Sequence, residues 1–167
     1  MNKLECLEDE AYNKGIDVVD YNFNSDHIKG LYADGVIALN KKLDTTKEKI
    51  CILAEELGHH ETFAGNILDP SVSANRKQEY KARIWAYRKI ISPDDLLSAF
   101  KSGCRNRYEI AEHIGVTEEF LEEALACFKT KYPEGLIKAS YMIRFTPSLQ
   151  IFMRFEGVSQ RLCKPSN

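Results

Sequence analysis

Apolar and small residues recur at Leu4, Leu7, Ala11 and Tyr12, three to four positions apart, before Gly15. That period predicts a short amphipathic helix within the first 15 residues, with the glycine as its stop. The period then shortens. After the run YNFN at 21–24, the stretch 29–39 places LYA and VIAL on either side of Asp34-Gly35. An Asp-Gly pair suits the positive φ angles of a type I′ turn, so these residues predict a β-hairpin. The N-terminal third reads as a small antiparallel sheet.

Helical punctuation follows. Thr45 to Glu48 has the form of a capping box, in which hydroxyl and carboxylate satisfy each other's orphan amides. The helix it opens is expected over 46–63, ending near 65, with a turn at 68–71. A second helix over 73–91 carries Ala82, Ala86 and Ile90 on one stripe, with Glu79 a turn earlier. Ser92-Pro93 stops it and caps the next helix. Two short helices at 106–114 and 118–129, split by Gly115-Val116-Thr117, have the spacing of a helix-turn-helix. The alternating segment 141–155, broken by Thr146-Pro147-Ser148, predicts a second hairpin, and 156–167 reads as a loose tail. The fold class is α+β.

Composition changes this picture little. A chain of 167 residues buries roughly 70% of its unfolded surface and needs no covalent staples. No apolar run approaches the ~18 residues that span a bilayer, and the charged N-terminus is unlike a signal peptide. Against 23 Lys and Arg stand 25 Asp and Glu, a balance that argues against work done mainly on phosphates. Glu118, Glu119, Glu122 and Glu123 on the second short helix would repel a DNA backbone, which favours a protein partner for that region. Five cysteines without a CxxC pair read as reduced thiols, which fits a cytoplasmic protein.

The segment with chemistry is CILAEELGHH at 51–60. Glu55 and His59 stand at i and i+4, so they emerge on one helix face with Cβ atoms about 6 Å apart. H-E-x-x-H uses this geometry to place two ligands on one zinc with the intervening Glu as general base. Here the first ligand position is Glu55, and Glu56 falls where the base belongs. A competing register uses Glu56 and His60 but leaves Leu57 in the base position, so it explains less. The structural reading is a helix whose charges face water. Against it, the pattern lies mid-helix among Ile50, Leu53 and Leu57, and Glu79 on the next helix offers a third oxygen ligand. His27 and His113 are isolated and read as structural.

These residues resemble the ImmA/IrrE family of metallopeptidases. The resemblance rests on LAEELGHH, the hairpin GLYADGVIALN before it and QEYKARIWA after it, over roughly 28–92. Glu56, Leu57, Gly58 and His59 match the end of the family's H-E-x-x-H helix. Glu79, Ala82, Trp85 and Ala86 match its E-x-x-A-x-x-[FW]-A helix. Glu55 departs from the pattern, as a carboxylate ligand in place of histidine.

The resemblance implies a zincin-like core over 1–92, in which a small sheet packs on an active-site helix and a ligand helix. Region 93–155 would add short helices and a hairpin packed on that core. It implies zinc held by Glu55, His59 and Glu79, with Glu56 as catalytic base. It further implies a cytoplasmic, site-specific endopeptidase that cleaves the helix-turn-helix repressor of a phage or mobile element. The rival is a non-catalytic module that keeps the fold and docks a repressor or toxin.

Overall fold

A computed structural model describes residues 2–62 and 72–154. The expected end of the active-site helix near 63–65, the turn at 68–71 and the tail at 156–167 lie outside the described residues. The chain divides into two compact units, 1–124 and 125–167.

In the first unit, α1 (Lys3–Asn13) opens with a capping box between Asn2 and Glu5 and stops before Gly15, whose φ is +71°. It buries Leu7 and Ala11. Three strands follow, β1 (Asp17–Tyr21), β2 (Gly30–Ala33) and β3 (Val36–Asn40). Asp34 and Gly35 have φ of +47° and +80° and join β2 to β3 as the antiparallel hairpin read from the sequence. β1 departs from the expected all-antiparallel sheet. It pairs parallel with β3 on the side away from β2, so the sheet is mixed, in the order β1-β3-β2. The hairpin's turn chemistry dictates its own direction but says nothing about a strand arriving from α1.

α2 (Thr46–Thr62) opens with the predicted box, Glu48 N–H donating to Thr45 Oγ1 and Thr45 N–H to the Glu48 carboxylate. Its buried stripe is Ile50, Leu53, Ala54 and Leu57, and α3 (Val72–Ile90), which packs against α2, buries Ala82 and Ala86. Asp20 of β1 pairs with Lys49, which ties the sheet to α2. α4 (Pro93–Lys101) is capped by Ser92 as its sequence predicts. α5 (Arg107–Ile114) ends at Gly115 in the left-handed region and is followed by α6 (Glu118–Lys131).

The second unit holds the end of α6 and an antiparallel sheet of β4 (Leu136–Ile137), β5 (Tyr141–Arg144) and β6 (Gln150–Met153). The predicted hairpin is the β5–β6 pair, to which β4 adds a short third strand. Phe128, Tyr132 and Phe145 form its aromatic cluster, with ring centroids 5.8–6.4 Å apart.

Candidate metallopeptidase site

One turn of α2 lies between two close backbone approaches. On one side, a Cβ added to Gly58 would stand 2.4 Å from the Ala82 carbonyl oxygen of α3. Only a glycine lets the helices meet this closely, and the next residue, His59, is thereby delivered to α3. On the other side, a Cβ on Gly30 of β2 would stand 2.5 Å from Ile52 Cγ2 and 2.9 Å from Glu56 Oε1. The strand therefore lies directly on the Glu56 side chain.

Between these approaches lies a cavity of about 700 Å³. β2, Glu55, Glu56 and His59 of α2, and Glu79 of α3 all line it. His59 Nε2 is 3.2 Å from Glu79 Oε2. The other carboxylate oxygen of Glu79 accepts a hydrogen bond of 3.0 Å from Arg83 Nε. Among the described residues, no group of three or more His, Cys, Asp and Glu side chains is arranged to hold a metal ion. His59 and Glu79 are the pair in direct contact.

Burial pushes the Glu55 carboxyl up to about 7. The Arg83 charge opposes this, while Glu123 and Glu79 add to it. Burial likewise raises Glu56 to about 7, against a hydrogen bond from the Tyr32 backbone and with help from the Glu55 and Glu79 charges. Two half-buried carboxyls thus share one cavity near neutrality, poised to hold or release a proton.

His60 points elsewhere. Its Nδ1 is 2.7 Å from the Tyr32 hydroxyl, with the two rings edge-on at 5.3 Å. Tyr32, on the inner face of β2, was not singled out from the sequence. The hairpin's alternation carries the signal, because Tyr32 pairs in register with buried Ile37. Arg83 was also missed, although it stands at i+4 from Glu79, where a pairing cation is expected.

Of the remaining histidines, His113 Nε2 bonds Ser98 Oγ at 2.9 Å, a structural contact, and His27 is exposed. A second cavity of about 440 Å³ lies across α2 and shares Glu55 with the first. Cys51 lines it, with its thiol pushed by burial up to about 11, which makes it a poor nucleophile.

No helix among the described residues is long and apolar enough to cross a membrane. No curated protein and no solved structure matches the chain. Residues 11–126 match the Peptidase_M78 family model, described as the IrrE N-terminal-like domain, which takes in the hairpin, α2 and α3. With its metallopeptidase-like fold, the chain belongs to that peptidase family.

Proposed function

We propose that this protein is a zinc-dependent, site-specific endopeptidase of the cytoplasm whose substrate is the helix-turn-helix repressor of a phage or mobile element. The observation that carries the reading is the single cavity lined by Glu55, Glu56, His59 and Glu79, with His59 set against Glu79. The donor types suit zinc, which takes imidazole nitrogen and carboxylate oxygen. Glu55 stands at i and i+4 with His59 and lines the same cavity as His59 and Glu79, which supports it as the third donor. Glu55, His59 and Glu79 would hold the metal. Zinc, when bound, supplies the Lewis acidity that polarises a scissile carbonyl.

The chain's own residues do the rest. Glu56 takes the proton of the attacking water and returns it to the leaving amine, work that suits a carboxyl near pKa 7. β2 holds Glu56 in place through the Tyr32 backbone and the close approach at Gly30. The competing register, with Glu56 and His60 as ligands, is disfavoured because His60 is engaged by Tyr32.

A second reading, a docking module that keeps the fold without chemistry, draws on the finding that, among the described residues, no three His, Cys, Asp or Glu side chains are grouped to hold a metal ion. Elemental analysis of protein purified without added metal separates the two. One equivalent of zinc supports the peptidase. A metal-free protein indifferent to chelators supports the module.

A further inference from the structure

Glu79 is held in a split arrangement. One oxygen, Oε2, faces His59 Nε2 at 3.2 Å, and the other, Oε1, accepts from Arg83 Nε at 3.0 Å. Arg83 is itself held from behind. Its Nη1 lies 3.4 Å from a carboxylate oxygen of Glu123, and that same oxygen accepts from the Tyr87 hydroxyl. The line His59–Glu79–Arg83–Glu123–Tyr87 thus runs from the candidate site on α2 through α3 to Glu123 of α6 and back to Tyr87 of α3. Tyr87 anchors its far end, with only 4% of its surface exposed.

We propose that Arg83 is a positioning residue that fixes the rotamer of Glu79, keeping Oε2 aimed at His59 so that the pair presents two ready donors to a divalent cation. The inference rests on the metallopeptidase reading, since it assigns Glu79 to the metal. Glu79 alone is an exposed helix carboxylate with three rotatable bonds, and a free side chain of that kind loses conformational freedom when it binds. A fork held at both ends removes most of that loss beforehand. Arginine suits this role because its Nε and Nη atoms lie in one rigid plane and can address two carboxylates at once. Groups that orient a metal ligand from behind typically change affinity 10–100-fold when removed.

The sign of the effect separates positioning from bulk electrostatics. Arg83 is a cation beside a cation site, so Coulomb's law alone predicts that neutralising it tightens zinc binding. Positioning predicts the opposite.

The test is the zinc affinity of the full chain, measured by competition with a chromophoric chelator, for wild type, Arg83→Leu, Arg83→Lys and Glu123→Gln. Thermal melting of each metal-free protein accompanies it. The expected result is a 10–100-fold weaker affinity for Arg83→Leu and a smaller loss in the same direction for Glu123→Gln, with both folded. Arg83→Lys keeps the charge but not the planar fork, and its affinity should also fall below wild type. Unchanged or tighter binding in Arg83→Leu, with wild type binding one equivalent, overturns the inference and leaves the metallopeptidase reading standing. Should Arg83→Leu fail to fold, an affinity of Glu123→Gln equal to wild type overturns the inference by itself. A wild type that takes up no zinc overturns the reading and the inference together.

Discussion

Gly58 of α2 and the Ala82 carbonyl of α3 are so close that a single added methyl would stand 2.4 Å from the oxygen. The two helices therefore touch backbone to backbone at the level of the site, and His59 reaches Glu79 from this crossing. An ordinary mid-helix Gly→Ala change stabilises a helix by roughly 1 kcal/mol. Here the opposite sign is expected. Gly58→Ala should force the helices apart and cost about 1–3 kcal/mol, read as a lower urea midpoint with an unchanged slope. Because the separation falls at His59 and Glu79, zinc affinity should drop as well. A variant as stable as wild type would show that the close crossing is not needed.

That crossing was half legible in the sequence. Ala82 and Ala86 share one stripe of the second helix in the sequence, and the structure buries both completely. The opposing glycine was visible only as part of the L-G-H-H run. What residue types in local patterns encode could be read directly: the Asp34-Gly35 turn, the Thr45 and Ser92 caps, and the i, i+4 placement of Glu55 and His59. Contacts made by long-range pairing could not be read this way. The parallel direction of β1, the Tyr32–His60 bond across 28 positions and the Arg83–Glu123 pair across 40 depend on how elements meet in space. Glu123 illustrates the limit. As sequence it belongs to an acidic face of α6, yet in the fold it turns toward Tyr87 and Arg83.

The two raised carboxyls make the metal-free fold sensitive to pH. Glu55 and Glu56 rise from an ordinary 4.5 to about 7. Folding therefore favours their protonated forms. Their contribution is fully present below about pH 4.5, where the unfolded chain is protonated too, and is lost as pH rises through about 7. One such carboxyl is worth on the order of 3 kcal/mol across that window. Metal-free protein should lose melting temperature steadily between pH 5 and pH 8, by roughly 2–4 °C for each kcal/mol. Glu55→Gln should flatten the decline by about half. A melting temperature that rises over this range would contradict the burial of both groups.

Glu55→His tests whether position 55 belongs to the metal. Imidazole nitrogen is at least as good a zinc donor as carboxylate oxygen, and the exchange restores the commoner pattern of two histidines. One equivalent of zinc should be retained, with affinity equal to or above wild type. The same variant should lose part of the pH dependence just described, because only Glu56 then remains as a raised carboxyl. Zinc lost from a folded Glu55→His protein would remove Glu55 from the proposed ligand set.

Glu56→Gln and His60→Ala together decide the register of the site. Gln preserves the size of Glu56, its seat against Gly30 and an oxygen to accept from the Tyr32 backbone, so the fold should survive. Metal-free stability at pH 8 should even increase, since a half-buried negative charge is gone. What the variant lacks is a group able to take a proton from water. Loss of a general base typically costs 10²–10⁴ in rate, so under the proposed function cleavage of the proposed repressor substrate should fall by that factor while zinc content equals that of wild type. His60→Ala removes the 2.7 Å bond to the Tyr32 hydroxyl and loosens β2 against α2. That should cost about 1 kcal/mol of stability and leave zinc content unchanged. If Glu56 and His60 were the ligands instead, both variants would lose zinc. Full cleavage by Glu56→Gln would refute the assignment of Glu56 as the base, because no other group of α2 both lines the cavity and is held toward it by the strand.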